Sequence, residues 1–238
     1  MTSRRLFLAL TGAALAVPAI SRGTEILSDV PIALDHILLG CSDLAAGLAF
    51  VEQHTGVRAA FGGVHPGRGT RNALLSLGEK HYLEIIAPDP QQPDAADTYG
   101  LRKLTAPRLL TWAAHPGNLD DFATRLRAAN LAFDGPTPGS RKRPDGRLLQ
   151  WKTINLKDDL GGLLPFFIEW SASSVHPSVD SPMGCKIKRF SYAGPDYDGV
   201  GRILEEDLGI AILAEAGEKS QIRAGISGPA GRVMTVTS

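Results

Sequence analysis

Three short apolar stretches of the sequence each carry one side chain that can bind a metal ion or transfer a proton. His36 lies within LDHILL, Glu84 within HYLEII and Glu169 within PFFIEW. An ionised carboxylate in an apolar strand costs free energy unless a cation or hydrogen-bond donors compensate it. A divalent metal shared by the three side chains would compensate both carboxylates. The sequence therefore predicts a metal site formed by these three residues.

An ion-pair network is the alternative explanation for the same carboxylates. Arginines in two other segments could neutralise Glu84 and Glu169 across a cavity without any metal. A histidine alone in a strand is also more often a hydrogen-bonded core residue than a ligand. The sequence leaves both interpretations open.

The segment HPGRGTRN, residues 65–72, concentrates groups that bind anions. Gly67 and Gly69 let the backbone approach a ligand closely. The guanidinium group of an arginine can bind two oxygens of a carboxylate or phosphate at once. His65 is the candidate general acid or base, or a further metal ligand. The predicted substrate-binding residues of this segment are Arg68, Arg71 and Asn72. A structural turn with solvated arginines is the alternative.

A second basic segment, SRKRPDGR at residues 140–147, predicts a turn that leads into a strand. Its charges would steer an anionic ligand toward the rim of a cavity, although such runs are commonly only solvated. Tryptophan at this rim could contact the ligand or pack into the core. The predicted contacts are Arg141, Arg143 and Trp151.

These residues must be positioned by a pattern that the chain repeats three times. An apolar strand is followed by a capping residue, a helix and further strands, and the caps are Asp43, Asn118 and Asp196. Units that cannot cover their own sheet pack side by side. The predicted fold class is α+β, with paired βαβββ modules forming a curved, cup-like mixed sheet and a third partial βαββ module at the C-terminus. The predicted boundaries are 32–90 and 107–173 for the modules and 185–238 for the third.

Composition limits the classes of function. The 238 residues are 43% hydrophobic and 21% charged, with 25 basic and 25 acidic side chains. This balance gives no electrostatic reason to expect nucleic acid or a membrane surface as a partner. The chain lacks a phosphate-binding Gly-rich loop, a GxSxG elbow and a CxxC pair, which disfavours nucleotide hydrolysis, elbow-type serine hydrolysis and thiol redox chemistry. Whether Cys41 and Cys185 form a disulfide stays open.

The N-terminus predicts export. SRRLFL at residues 3–8 precedes an uncharged stretch at residues 9–19, which resembles a twin-arginine signal over residues 1–21. The stretch is short for a transmembrane helix. We therefore expect a periplasmic or secreted protein with no stable membrane anchor after processing.

Five segments in order resemble the glyoxalase-like branch of the vicinal oxygen chelate superfamily. They are LDHILLGCSDL (34–44), HPGRGTRNALL (65–75), YLEIIAPDP (82–90), GSRKRPDGRLLQW (139–151) and LPFFIEW (164–170). The resemblance implies a metal held at four strand positions, of which three are His36, Glu84 and Glu169. The fourth holds Thr111, a poor ligand. The metal at such a site could be Zn, Fe, Mn, Ni or Mg.

The expected function is that of an exported, divalent-metal-dependent lyase, isomerase or dioxygenase acting on a small, oxygen-rich and anionic substrate. The metal would stabilise an enolate or similar oxyanion, and His65 and Glu169 are the predicted catalytic residues. The alternative is a metal-free protein of the same fold that sequesters a small molecule, which Thr111 favours. A homodimer is a further possibility.

Overall fold

The computed structural model describes residues 29–143 and 145–238. The predicted signal segment, residues 1–21, lies outside these residues. Among the residues described, no helix is both long and apolar enough to cross a membrane. Cys41 and Cys185 are buried free thiols.

The first module is built around a strand whose seven residues are all buried. The Asp43 carboxylate accepts a hydrogen bond from the Ala46 amide and so begins the following helix. Gly56 ends that helix in the left-handed conformation, with φ of 80°. The elements are β1 (Leu34–Gly40), α1 (Leu44–Thr55), β2 (Ala60–His65), β3 (Thr70–Ser76) and β4 (Tyr82–Pro88).

The second module repeats this order, and the Asn118 side chain caps its helix as predicted. Its elements are β5 (Arg108–Ala114), α2 (Leu119–Ala128), β6 (Phe133–Lys142), β7 (Leu148–Leu156) and β8 (Phe166–Trp170). The predicted βαβββ module includes a strand here, but no bounds were predicted for β6, whose prolines and glycines are unfavourable inside a sheet. It lies at the sheet edge, where proline is tolerated. Arg141 therefore lies on a strand and not in the predicted basic turn.

The two modules join into one eight-stranded sheet in the order β2-β3-β4-β1-β5-β8-β7-β6. β1 pairs in parallel with β4 and antiparallel with β5, so the modules lie side by side. The sheet curls until its edge strands β2 and β6 approach each other. The predicted fold of paired modules in a curved, cup-like sheet is confirmed.

The two faces of the curled sheet have different surroundings. On the convex face, fully buried residues such as Ile37, Trp112 and Phe167 pack with α1 and α2 into the main core. The concave face encloses a cavity, and His36 and Glu84 line it. The core therefore lies behind the strands that carry the site.

The third unit forms a separate sheet that covers the convex side. After a single turn of helix, α3 (Pro177–Asp180), its elements are β9 (Lys186–Gly194), α4 (Tyr197–Arg202), β10 (Leu213–Ala216), β11 (Gln221–Ser227) and β12 (Val233–Thr237). The strand order is β10-β9-β11-β12. β9 pairs in parallel with the next strand, β10, whereas β1 pairs with β4, the last strand of its module. The rings of Phe190 and Trp112 lie 5.0 Å apart and join this sheet to the main core.

Gly47 of α1 tests the packing of this core. A Cβ atom at residue 47 would lie 2.5 Å from Cys41 Sγ and 2.9 Å from Ile85 Cγ2. Gly47→Ala is expected to lower the free energy of unfolding by about 1–3 kcal/mol, measured by urea denaturation, because it overpacks the core. The control is Gly201→Ala on α4, where the new Cβ would lie 3.5 Å from Ala214 Cβ. Alanine has a higher helix propensity than glycine, so Gly201→Ala should not destabilise the protein. A loss of unfolding free energy in Gly201→Ala equal to that in Gly47→Ala would contradict the packing argument.

Candidate functional site

A cavity of about 410 Å³ opens on the concave face of the eight-stranded sheet. Strands β1, β3 and β4 supply its polar floor, and β7 and β8 supply an aromatic wall. Tyr99 closes another side, from the segment that connects β4 to the second module. The volume lies in the range of small-ligand sites.

The floor is a hydrogen-bonded chain of three buried side chains from three strands. Asn72 Nδ2 donates to Glu84 Oε1 over 2.6 Å, and Arg141 Nη1 donates to Asn72 Oδ1 over 3.0 Å. An ionised carboxylate only accepts hydrogen bonds and a guanidinium only donates them, so the Asn72 amide has one compatible orientation. The amide thereby links Glu84 in the first module to Arg141 in the second.

Two imidazoles flank the Glu84 carboxylate, one near each oxygen. His36 Nε2 lies 3.6 Å from Oε2, and His65 Nε2 lies 3.7 Å from Oε1. Both distances are too long for hydrogen bonds. Within the described chain, Oε2 therefore receives no hydrogen bond and faces the cavity as a free acceptor.

Glu84 is ionised at neutral pH despite its burial. Burial alone raises the pKa of this carboxyl group. The nearby His65 and His36, the hydrogen bond from Asn72 and the charge of Arg141 outweigh burial and hold the pKa below its ordinary value. The cavity floor therefore carries a negative charge.

His65 is a neutral imidazole at the other side of this carboxylate. Burial, the main cause, lowers its pKa, and the opposing effect of Glu84 does not restore it. Its Nδ1 lies 2.8 Å from Thr70 Oγ1 and its Nε2 lies 3.3 Å from Asn72 Nδ2. Because Asn72 Nδ2 is a donor, Nε2 accepts and the ring proton is assigned to Nδ1.

A second buried carboxylate, Asp35, lies directly behind His36. Its Oδ1 accepts from His36 Nδ1 over 2.6 Å, and its Oδ2 accepts from Trp170 Nε1 over 3.1 Å and His176 Nε2 over 3.2 Å. Burial raises the pKa of Asp35, but the hydrogen bonds from His176 and His36 outweigh burial and place the pKa well below its ordinary range. Ionised Asp35 therefore keeps a proton on Nδ1 of His36 and leaves Nε2 directed at Glu84.

Glu169 does not join the other two predicted metal ligands. Its neighbours on β8, Ile168 and Trp170, line the cavity, and alternation places Glu169 on the opposite face. There its Oε2 accepts a hydrogen bond from the amide of Leu119 over 2.7 Å, at the first residue of α2. A carboxylate in this position accepts from a further amide beside the Asn118 cap and complements the helix dipole. The structure thus gives Glu169 a structural position in place of the predicted catalytic and metal-binding ones.

The predicted metal site is therefore reduced to His36 and Glu84. Thr111, at the fourth position, pairs with Leu38 across β1 and β5 and adds only a hydroxyl group. Within residues 29–143 and 145–238, no three His, Cys, Asp or Glu side chains form a group that could hold an ion. Two histidines and a carboxylate are a donor set that divalent metals accept, but here the imidazoles flank different oxygens of Glu84. As arranged, the floor does not fit a three-ligand metal site.

The predicted substrate-binding residues fall into two groups. Those that line the cavity, together with His65, are Arg68, Asn72, Arg141 and Trp151. Arg71 alternates with Asn72 on β3 and shares its face with Ala87, which lies in the main core. Arg143 follows β6 and forms an ion pair with Asp180 over 2.6 Å. Neither of these two arginines lines the cavity.

Several residues of the site were missed by sequence reasoning. Asp35 lies in the same apolar stretch as His36, so its desolvation cost was a usable signal. Tyr82 stacks on His36 with ring centroids 4.3 Å apart, but a tyrosine in a strand has no distinguishing pattern. His176 and Tyr99 come from connecting segments, whose positions depend on tertiary packing.

Comparison with known proteins identifies the family. The sequence profile of the glyoxalase-like domain matches residues 34–208, which span both modules and the first part of the third unit. The chain belongs to the glyoxalase-like domain family, which confirms the resemblance seen in the sequence. No curated protein matches the chain.

Solved structures with a related fold include two bacterial proteins. A hypothetical protein from Staphylococcus aureus is 13% identical, with 86% of this chain and 84% of that chain covered and a TM-score of 0.57. Methylmalonyl-CoA epimerase from Mycobacterium tuberculosis is 23% identical, with 61% of this chain and 91% of that chain covered and a TM-score of 0.45. At these identities the likeness concerns the fold alone.

Replacing Glu169 tests its structural position. Glu169→Ala is expected to lower the free energy of unfolding by about 0.5–1.5 kcal/mol, measured by urea denaturation, because the Leu119 amide loses its hydrogen-bond acceptor while Asn118 still caps α2. Zinc or manganese uptake after equilibration, measured by elemental analysis, should equal that of the wild type. The exposed Glu218→Ala variant is the control and should leave both quantities unchanged. Reduced metal uptake by Glu169→Ala alone would restore Glu169 as a ligand.

The lowered pKa of Asp35 predicts that the protein loses stability in acid. Its pKa is lower in the folded protein than the ordinary 3.8, so its contribution is complete above that value and is lost as the pH falls below it. Asp35→Asn should lower the free energy of unfolding at pH 7 by about 1–3 kcal/mol. It should also flatten the dependence of stability on pH below about pH 5. Urea denaturation across this range, with the exposed Asp94→Asn variant as control, measures both effects, and identical acid slopes in all three proteins would refute the assignment.

Proposed function

We propose that this glyoxalase-like protein is an enzyme that removes and returns a proton at a carbon atom beside a carbonyl group of a small substrate. The observation that supports this most is the ionised Glu84 carboxylate at the floor of a ligand-sized cavity, with an imidazole nitrogen beside each oxygen. Carboxylates and imidazoles are the common proton-transfer groups of enzymes.

Glu84 is the base in this proposal. Asn72 holds Oε1 and so fixes the plane of the carboxylate, which leaves Oε2 as the acceptor. The proton of the substrate C–H bond passes to Oε2, and the electron pair of that bond moves to the carbonyl oxygen, which gives an enolate. Return of the proton from Glu84 to carbon restores the carbonyl group and the free carboxylate.

The two histidines divide the remaining tasks. Asp35 accepts a hydrogen bond from Nδ1–H of His36 and stabilises this ring when a second proton, taken from solvent, is bound at Nε2. Nε2 then donates toward the enolate oxygen. His65 Nε2 lies on the Oε1 side of the carboxylate, and its lone pair makes it a second base that can take a proton from a different substrate atom.

A divalent metal remains part of the superfamily expectation. Among the described residues, His36 and Glu84 offer only two of the three protein ligands that such a metal site would need. The third ligand predicted from the sequence lies on the other face of the sheet. The proposed steps therefore use only the groups that the chain itself brings together.

These steps suit an isomerase or a lyase that acts beside a carbonyl group, because both can proceed through an enolate formed by proton removal. A protein that only sequesters its ligand would use the same cavity without proton transfer. We further propose that the protein works in the periplasm or outside the cell, which rests on the twin-arginine-type residues 3–19.

Solvent exchange tests the proposed base. In D2O, the wild type should accelerate deuterium incorporation beside the carbonyl group of at least one compound in a panel of small ketones, 2-oxo acids and arylacetates, followed by proton NMR. Glu84→Gln should reduce this rate by about 100-fold to 10,000-fold, because an amide cannot act as the base. Glu218→Gln, exposed and remote from the cavity lining, is the matched control. Exchange at the wild-type rate in Glu84→Gln would contradict the proposal, and binding without exchange in the wild type would favour sequestration.

A further inference from the structure

We propose that the cavity binds a small planar monocarboxylate, and that Arg141 is the receptor for its carboxylate group. This inference rests on the proposed function only in placing the reacting carbon near Glu84. The anion receptor itself is argued from the surroundings of Arg141.

Arg141 is a buried cation with unused hydrogen-bond donors. The residue is 5% exposed, and it lines the cavity. Nη1 donates to Asn72, while Nε is buried without a partner in the described chain. No carboxylate of the described residues lies within ion-pair distance of this guanidinium. A buried guanidinium is costly unless an anion pairs with it, so its free donors indicate a missing anionic partner.

The backbone of β2 is shaped to hold this guanidinium. A Cβ atom at Gly62 would lie 2.8 Å from Arg141 Nη1 and 2.5 Å from Asn72 Oδ1, and one at Gly63 would lie 3.1 Å from Nη1. Side chains at these positions would displace Arg141 or its amide partner. The Gly-Gly pair thus provides the space in which Arg141 reaches from β6 across to the first module.

The opposite wall of the cavity favours a planar body. Trp151 and Trp170 lie with ring centroids 5.6 Å apart, and a Cβ atom at Gly139 would lie 2.6 Å from Trp151 Nε1, so the indole rests on bare backbone. The aromatic residues of the lining are Tyr82, Tyr99, Trp151, Phe166 and Trp170. Aromatic rings pack well against other planar groups.

The charges near Arg141 favour one negative charge over two. Asn72 links Glu84 to Arg141, and Asp35 lies behind His36. The floor of the cavity therefore already carries anionic groups. One further negative charge pairs with the guanidinium of Arg141, whereas a second would face the repulsion of Glu84 and have only Arg68 of the lining as another cation. A carboxylate therefore fits better than a phosphate dianion, and its planar oxygens match the guanidinium fork.

Three probes of similar shape test the proposal by isothermal titration calorimetry on the full-length chain. They are benzoate, neutral benzamide and phenyl phosphate. Benzoate should bind the wild type about tenfold to 100-fold more tightly than benzamide, because a hydrogen bond to a charged group is involved. It should also bind more tightly than phenyl phosphate.

Variants then assign the preference to Arg141. Arg141→Gln should abolish the preference for benzoate over benzamide, and Arg141→Lys, which keeps the charge, should retain part of it. Arg189→Gln, in the sheet of the third unit, is the matched control and should bind as the wild type does. Circular dichroism and thermal unfolding establish whether each variant is folded. If Arg141→Gln does not fold, the preference for benzoate over benzamide is compared between Arg141→Lys and the wild type.

The proposal is overturned if wild-type protein binds benzoate no better than benzamide, if phenyl phosphate binds more tightly than benzoate, or if the folded Arg141 variants keep the full preference. Glu84→Gln separates this result from the proposed reaction. It should lose solvent exchange while keeping or strengthening the preference for benzoate. If Arg141→Gln loses the preference for benzoate and no protein, wild type included, catalyses solvent exchange, the proposed reaction is refuted and the carboxylate receptor is supported.

Discussion

The burial of an ionised Glu84 is the constraint on which the rest of the site depends. Its desolvation is compensated by an amide on β3, a guanidinium on β6 and imidazoles on β1 and β2. These groups come from four different strands, so the charge can be tolerated only when the sheet has curled and closed. The same closure makes the cavity. The burial of Glu84 and the formation of the cavity are therefore coupled.

Closure of the cup depends on one long side chain and two residues without side chains. Arg141 extends from the far edge strand, and Gly62 and Gly63 on the opposite edge leave room for it. The Asn72 amide then connects the cation to Glu84 while keeping the two charges apart. This spacing leaves guanidinium donors available to a ligand, which a direct ion pair with Glu84 would have consumed.

The apolar packing on the convex side of the sheet offsets the free-energy cost of burying polar groups on the concave side. Helices α1 and α2 and the sheet of the third unit bury the apolar faces of the central strands in one continuous core. That core supplies the hydrophobic stabilisation, and the concave side is free to carry charged groups. The third unit repeats the order of strand and helix but pairs its strands differently, so it serves as a cover and not as another part of the cup.

The site could be predicted from the sequence only in part. Apolar context marked His36 and Glu84 correctly as buried polar residues on one surface, and the same signal in the same stretch would have marked Asp35. The loop with His65 was also identified. Arg141 was assigned to a turn because proline and glycine obscure an edge strand. Arg71 and Asn72 are neighbours in sequence, and only the pairing of β3 with β4 shows that Asn72 alone faces the cavity.

The sequence by itself determined the helix caps, the repeated modules and the pairing of a cup-like sheet, because these follow from local spacing and from the need to cover apolar faces. Only the tertiary structure decided which face of each strand is concave. Alternation groups Phe167 with Glu169, but both faces of β8 carry apolar side chains: Phe167 packs on α2, and Phe166, Ile168 and Trp170 line the cavity. A strand buried on both sides carries no local signal for its orientation, and this is why Glu169 was expected in the cavity and lies at the end of a helix.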